Sequence, residues 1–282
     1  MSANPQSIVH PTDFSDLSSD AFAHALRIAL AAKSRLYLLH VETGHESEWW
    51  SFPHVRHALA LWKLSTDDVT EKHPQAAIEA KLGIRVVKVS LDQQNPVRGI
   101  LGFLDRHPTE LIVLATHGRD GLPHWLHGSV AEVVSRRAIK PTLFVAPGAR
   151  GAGGFVDQWS GQLRLRRVLV PIDHAPAPSA SLNAIGEFIQ LLAGDDLAVH
   201  LLHVGTLAPV ILRASTAVIP VNVEVRQGDV VETILKTATQ IDADLIAMPT
   251  AGHHGILDAM RGSTTERLLR HAPCPVLAMP AP

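Results

Sequence analysis

Two glycine-rich stretches of this 282-residue chain have the residue types of a phosphate-binding loop. Residues 118–129 read GRDGLPHWLHGS and residues 252–263 read GHHGILDAMRGS, with glycines at the same three places. The first stretch ends directly before the predicted helix VAEVV, and the N–H groups at a helix N-terminus favour an anion. Glycine lets a phosphate approach the backbone closely, and the serine hydroxyl adds a donor. The pattern therefore predicts a phosphate site that needs no lysine.

The two loops belong to two longer repeats. Four pairs of segments match: SIVHPTDF at 7–14 with RVLVPIDH at 167–174, LYLLHV at 36–41 with VHLLHV at 199–204, ELIVLATHG at 110–118 with DLIAMPTAG at 244–252, and KPTLFVAP at 140–147 with CPVLAMPA at 274–281. The offset between matching positions falls from 163 to 134 after the second pair, so the second repeat lacks about 29 residues there. We therefore expect two domains, repeat 1 at 1–147 and repeat 2 at 165–282, joined by a glycine-rich linker at 148–164.

In both repeats, apolar segments of strand length alternate with segments of helical periodicity, which is typical of α/β units with a parallel sheet. We expect one doubly wound sheet per repeat, with ligands at the carboxyl ends of the strands near the switch point. Asp13, Val41 and the loop after Ala115 lie at such strand ends and are predicted to meet at one rim. The apolar last strands, at 142–146 and 275–279, are expected to pair with each other and to join the repeats into a pseudo-dimer.

The composition argues against several classes of partner. With a net charge of −2, the chain offers no strongly basic surface for nucleic acid or for an anionic membrane. No apolar run approaches the roughly 18–20 residues of a membrane span, and the N-terminus lacks the regions of a signal peptide. A single cysteine, Cys274, excludes an internal disulfide. These features predict a cytoplasmic protein with neither a nucleic-acid nor a membrane partner.

With its repeats aligned, the chain resembles the universal stress protein family over nearly its whole length. The resemblance rests on PTDFS after the first strand, LLHV at the second, THG after the fourth, Gly-Ser after a spacer, and KPTLFVAP at the close. In ATP-binding members the pattern is Gly, two residues, Gly, nine residues, Gly, then Ser or Thr. Here Gly118 is followed by nine residues and then by Gly128 and Ser129, and repeat 2 has the same spacing from Gly252.

The resemblance implies an adenine-nucleotide-binding α/β fold and a stress-response regulatory function, with ATP, ADP or AMP as the ligand and Mg²⁺ left open. It places Asp13 near the adenine or ribose, and backbone groups of Val41 at the adenine edge. The expected site residues of repeat 1 are Asp13, Val41, Ala115, His117, Gly118, Gly128, Ser129 and Val130. The corresponding set in repeat 2, with a weaker match, is Asp173, Val204, Gly252, Gly262 and Ser263.

Both repeats depart from the family pattern, slightly in repeat 1 and more seriously in repeat 2. The first glycine of the pattern falls on Ala115 in repeat 1, which keeps a backbone N–H, but on Pro249 in repeat 2, which has none. The family histidine is His117 in repeat 1 and Ala251 in repeat 2. We therefore expect nucleotide to bind preferentially in repeat 1.

Other functions stay open beside nucleotide binding. No Ser–His–acid set or carboxylate pair can be assigned from spacing, so an enzyme is not expected beyond weak ATP hydrolysis. A scaffold that has lost its nucleotide would act through an unidentified protein partner, and a homodimer is left open as well. Aromatic residues concentrate in the segment that repeat 2 lacks and form either local core or an exposed lid or partner surface. They are Trp49, Trp50, Phe52 and Trp62.

The chain contains 17 histidines, which raises the question of zinc. Candidate pairs are His54 with His57, His124 with His127, and His253 with His254. No third ligand is evident for any pair, so a zinc-linked variant is an alternative and no metal site is expected. His40 and His203 belong to the LLHV pattern and are expected to pack or to make local hydrogen bonds.

Overall fold

The centre of the molecule is one continuous sheet. The computed structural model describes residues 6–42, 53–64, 74–116, 130–148, 154–175, 178–211, 218–220, 222–250 and 264–280. Repeat 1 contributes β1 (Ser7–Pro11), β2 (Arg35–Glu42), β3 (Arg85–Asp92), β4 (Leu111–Ala115) and β5 (Thr142–Val145). Repeat 2 contributes β6 (Arg167–Pro171), β7 (Ala198–Val204), β8 (Val223–Arg226), β9 (Leu245–Thr250) and β10 (Val276–Pro280).

Helices cover both faces of this sheet. Those of repeat 1 are α1 (Ser19–Ala32), α2 (Pro53–Leu61), α3 (Pro74–Leu82), α4 (Pro96–Arg106) and α5 (Val130–Ala138), with a short 3-10 turn (Asp16–Ser18) before α1. Those of repeat 2 are α6 (Pro178–Leu192), α7 (Val230–Gln240) and α8 (Thr264–His271). Among the described helices, none is both long enough and apolar enough to cross a membrane.

Consecutive strand residues belong to different cores. Ile8 packs with α1, α2 and α6 on one face of the sheet, whereas its neighbour Val9 packs with α4 and α5 on the other. Because successive side chains of a strand point to opposite faces, a strand covered on both sides has to be apolar throughout. This explains why the strand segments of the sequence are continuous apolar runs.

The strand order is β3-β2-β1-β4-β5-β10-β9-β6-β7-β8, and within each repeat all neighbouring strands are parallel. Each repeat therefore winds outward through three strands and then returns to the other side of its first strand. The switch points lie between β1 and β4 and between β6 and β9. The predicted doubly wound parallel arrangement is confirmed in both repeats.

The two repeats join through their last strands, as predicted. β5 and β10 pair antiparallel at the centre of the sheet, with Leu143 opposite Leu277 and one further pair on either side. The pairing is symmetric about these two leucines, and α1 contacts α6 on one face of the joint. The chain is thus an internal pseudo-dimer with a pseudo-twofold axis through the β5–β10 pair.

The second half of the predicted linker packs against repeat 1. Phe155 and Val156 are buried, and Val156 forms an isolated bridge with Leu163. The N–H of Val156 donates to Nε2 of His24 on α1, at 3.3 Å. Trp62, after α2, is buried and donates its indole N–H to the carbonyl of Gln158, at 2.9 Å. The exact domain boundaries stay a prediction.

The length difference between the repeats lies between their second and third strands. In repeat 1, α2 and α3 connect β2 to β3, whereas the described residues between β7 and β8 contain no helix. Trp62 belongs to the local core, in agreement with one of the two interpretations of the aromatic segment. Trp49, Trp50 and Phe52 lie outside the described residues.

Candidate functional site

Three predicted site residues of repeat 1 lie at the carboxyl ends of neighbouring strands. Val41 is near the end of β2, Asp13 follows β1, and Ala115 ends β4. The register pairs Pro11 with Leu39 and Val9 with Ile112, so its continuation brings Asp13 level with Val41 on one side and with Thr116 on the other. The ends of β1 and β4 therefore border the switch point between these two strands, where α/β sheets bind ligands, and the end of β2 lies directly beside that of β1.

A tight turn holds Asp13 at this rim. Its Oδ1 accepts hydrogen bonds from the backbone N–H of Ser15 at 3.0 Å and from the Ser15 hydroxyl at 2.7 Å. The N–H of Phe14 donates to Oγ1 of Thr12, and Phe14 itself has a left-handed φ of 55°. The result is an exposed carboxylate whose backbone is fixed on both sides.

Below the rim, His40 fastens β2 to the turn. Its Nδ1 lies 2.8 Å from the carbonyl oxygen of Thr12, and because a carbonyl can only accept, Nδ1 carries the proton. Its ring lies 5.1 Å from the ring of Phe14. His203 makes the same contact in repeat 2, with Nδ1 at 3.1 Å from the carbonyl of Ile172. Both histidines therefore make the local hydrogen bonds that the sequence predicted.

Val41 is positioned from the other side by α4. A Cβ placed on Gly99 of this helix would lie 3.1 Å from Cγ2 of Val41, so the helix backbone approaches the strand closely. The helix begins with Pro96, after Asn95, whose side chain accepts the N–H of Arg98 at 3.0 Å. This cap satisfies one of the N–H groups at the helix start and fixes its first turn beside Val41.

His10 lies in β1, three residues before Asp13. It is fully buried, with Nδ1 at 2.9 Å from the carbonyl oxygen of Val113. Burial lowers the pKa of His10 to about 4, against which its hydrogen bond to Val113 acts only in part. His10 is therefore neutral at pH 7 and adds no charge beneath Asp13.

The described residues include only part of the predicted phosphate sites. His117, Gly118, Gly128 and Ser129 lie outside the described residues, and so do Gly252, Gly262 and Ser263. Val130 is described and is the first residue of α5. Of the candidate zinc ligands, His124, His127, His253 and His254 also lie outside, and His57 is exposed on α2.

Repeat 2 has an equivalent rim with different chemistry. Continuation of the β6 register brings Asp173 level with Val204 on β7 and with Thr250 on β9. Pro249, which corresponds to Ala115, lies within β9 opposite Met279 of β10. A proline there offers no N–H to a ligand, whereas Ala115 does.

The rim of repeat 2 also holds a group of residues that the sequence interpretation did not connect. One donor atom each of Asp173, His174 and His203 lies within 4.8 Å of the other two. The sequence did contain a signal for this group, because Asp173 and His174 follow the first strand of repeat 2 and the LLHV histidine, His203, lies near the end of the neighbouring strand. The two segments are far apart along the chain, however, and only the β6–β7 register brings them together.

Comparison with known proteins gives the family. The model of the universal stress protein family matches residues 5–146 and 206–280. The chain belongs to the universal stress protein family. A universal stress protein of Methanocaldococcus jannaschii is 32% identical over 143 residues, which are 49% of this chain and 80% of that protein.

Two solved structures are similar along almost the whole chain. A universal stress protein from Archaeoglobus fulgidus is 20% identical with a TM-score of 0.63, and the match covers 97% of this chain and 96% of the other. A functionally unknown protein from Pseudomonas aeruginosa is 15% identical with a TM-score of 0.63, over 99% and 93% of the two chains. The fold is therefore that of two universal stress protein domains in tandem, joined in one sheet.

Proposed function

We propose that this universal stress protein binds an adenine nucleotide at the rim of repeat 1 and acts in the stress response as a cytoplasmic regulatory protein. The observation that carries the proposal is the convergence of Asp13, Val41 and Ala115 on the switch point between β1 and β4. This is the position at which sheets of this topology bind nucleotides.

The chemistry of the rim suits the adenosine half of the ligand. An exposed carboxylate at Asp13 accepts hydrogen bonds from a ribose hydroxyl or an amino group. In the sequence, residues 117–129 lie between β4 and the N-terminus of α5 at Val130, where a helix favours a phosphate. Gly128 and Ser129 directly precede this helix, so they would contact the phosphates, and Mg²⁺ would accompany them where the ligand is ATP.

Repeat 1 is the preferred site because its rim keeps one more backbone donor. Ala115 has an N–H where Pro249 has none. A hydrogen bond to a charged group contributes roughly 1.5–3 kcal/mol, so its loss weakens affinity by about ten- to a hundredfold. We propose no catalytic residues, and any ATP hydrolysis is weak and incidental to binding.

Mass spectrometry of the small molecules released from freshly purified protein provides the first test. ATP, ADP or AMP at near-stoichiometric amounts is the expected result. If no nucleotide is released and calorimetry with ATP shows no binding, the chain is instead a scaffold that acts through protein contacts alone.

Paired variants then assign the site. Gly128→Val and Gly262→Val each add a branched side chain where a phosphate would lie in repeat 1 or repeat 2. We expect the first to abolish ATP binding and the second to leave it nearly unchanged. Asp13→Ala and Asp173→Ala form the same comparison at the adenosine end, with a loss of about tenfold or more only for Asp13. The reverse pattern would place the nucleotide in repeat 2.

A further inference from the structure

We propose that the rim of repeat 2 is a binding site for a divalent transition-metal ion, with Zn²⁺ as the best fit, formed by Asp173, His174 and His203. Asp173 and His174 follow β6, and His203 lies near the end of the adjacent parallel strand β7. The site lies outside the proposed nucleotide site of repeat 1 and does not depend on it.

The spacing of the donor atoms is close to that of a coordinated ion. One donor atom of each residue lies within 4.8 Å of the others, and Oδ1 of Asp173 is 3.8 Å from Nδ1 of His203, the nitrogen that would bind the ion. Ligands about 2.0–2.1 Å from a tetrahedral ion are roughly 3.3 Å from each other. Asp173 and His174 are exposed, so their side chains can move toward an ion beside the buried His203.

The two histidines would bind the ion in different ways. Nδ1 of His203 lies 3.1 Å from the carbonyl oxygen of Ile172, and Nε2 of His174 lies 3.0 Å from that of Leu207. In a neutral imidazole, the nitrogen that donates to a carbonyl carries the proton, and the other nitrogen carries a lone pair. His174 therefore has its lone pair on Nδ1, in a ring oriented by the carbonyl of Leu207 as in many metal-binding histidines. Nδ1 of His203 would exchange its hydrogen bond to Ile172 for the ion, and its proton would pass to Nε2.

Gly205 makes room beside the buried imidazole. A Cβ on residue 205 would lie 2.4 Å from Nε2 of His203, closer than any side chain can approach. Gly205 is not among the residues with positive φ, so the backbone does not require glycine at this position. The close approach of the His203 ring to the backbone of residue 205 does require it.

Repeat 1 lacks this combination. The residue that corresponds to His174 is Phe14, and the residue that corresponds to Gly205 is Glu42, although Asp13 and His40 are retained. The metal site is therefore a specific property of repeat 2 and not a general feature of the fold of both halves.

The donor set selects the class of ion. Two imidazoles and one carboxylate suit Zn²⁺, Co²⁺ or Ni²⁺, whereas Mg²⁺ and Ca²⁺ prefer oxygen ligands throughout. Three protein ligands leave a fourth position of the tetrahedron for water or for an incoming ligand.

Zinc titration of the untagged, EDTA-treated full chain tests the proposal. We compare the protein with His174→Phe, which installs the residue of repeat 1, and with His271→Phe, which removes an exposed histidine of α8 outside the group. By calorimetry, the unmodified protein and His271→Phe should each bind one more equivalent of Zn²⁺ than His174→Phe binds. Excess Mg²⁺ should not compete.

The stoichiometry decides the outcome once circular dichroism has shown that each variant is folded. An unchanged equivalent count in His174→Phe would overturn the proposal, as would an equal loss in His271→Phe. Asp173→Asn provides a second variant and should weaken zinc binding by more than about tenfold. ATP binding is measured on the same samples in zinc-free buffer, so a failure of the nucleotide proposal is distinguishable from a failure of this one.

Discussion

At the scale of single residues, His24 is a buried polar group with a hydrogen bond at each ring nitrogen. It is fully buried in α1, its Nε2 accepts the N–H of Val156, and its ring packs edge-on against Phe155 at 4.4 Å between centroids. Because a backbone N–H can only donate, the proton of the imidazole is on Nδ1, which donates to the carbonyl of Asp20 at 2.7 Å. The contact exists only while the ring is neutral.

The pH dependence of stability follows from this burial. Burial lowers the pKa of His24 from 6.5 to about 4, and the same cause lowers that of His10 to about 4. Between these values the unfolded chain binds protons that the folded chain does not, so stability is full above about pH 6.5 and falls as the pH decreases toward 4. Each histidine accounts for a slope of about 1.4 kcal/mol per pH unit.

Denaturant unfolding between about pH 5 and pH 6 measures this slope. We expect His24→Gln to reduce it by about one proton, because glutamine does not titrate but can still accept the N–H of Val156. His271→Gln, at the surface of α8, is the control and should keep the slope of the unmodified chain. A slope that is the same in all three proteins would contradict the assignment of His24 as a buried neutral group.

At the scale of elements, the segment that follows β5, described at 146–148 and 154–163, contacts both α1 and the end of α2. We call this segment the clasp. Asp20 of α1 accepts the N–H of Gly148 at 3.0 Å, and further along the segment the indole of Trp62 donates to Gln158. Gly161 lies against the same indole, and a Cβ there would be 2.3 Å from Cδ2 of Trp62. The clasp therefore ties the helices of repeat 1 to the chain that leads into repeat 2.

Two glycines of this segment form a matched pair for testing the clasp. Gly148 and Gly161 both have φ of 66°, but a Cβ on Gly148 meets no atom within 4 Å. Gly148→Ala should therefore lower the free energy of unfolding only by the cost of the left-handed backbone, about 1–2 kcal/mol. Gly161→Ala should cost more, because the methyl group also displaces Trp62. Denaturant unfolding of both variants gives the comparison, and equal losses would show that Trp62 does not press on Gly161.

At the scale of the whole molecule, one pseudo-twofold axis relates two rims that differ in chemistry. The β5–β10 pair is antiparallel, so the carboxyl ends of the two sets of parallel strands face opposite edges of the sheet. Each repeat covers the apolar edge strand of the other. A shared sheet in one chain thus allows the two sites to diverge while the joint between them is retained.

Repeat 1 without repeat 2 should form a homodimer, in which a second copy of repeat 1 takes the place of repeat 2. A chain that ends at Arg166 would expose β5, whose four residues are all buried in the full protein. An uncovered apolar edge strand pairs readily, and antiparallel pairing of two identical strands closes a symmetric dimer. We expect light scattering after gel filtration to give a dimer for this shorter chain. A folded chain that stays monomeric at all concentrations would contradict the expectation, and the full chain, with β5 covered, is the control.

The sequence alone determined the strand-and-helix alternation and the two repeats, because each leaves a local pattern, and the apolar last strands together with the family resemblance indicated the β5–β10 joint. Continuous apolar runs mark strands buried on both faces, and matching segments align the repeats without reference to a structure. The same patterns put Asp13, Val41 and Ala115 at strand ends, and the parallel topology alone then requires these ends to meet at one edge.

Only the tertiary structure decided which distant residues touch. The grouping of Asp173, His174 and His203 depends on the register of β6 against β7, and the docking of Val156 on His24 joins residues 132 positions apart. Neither contact leaves a periodic signal, and a glycine-rich segment such as 148–164 reads as a linker whether or not it packs. Side-chain contacts of this kind are set by strand register and helix packing, and both are fixed only when the whole sheet has assembled.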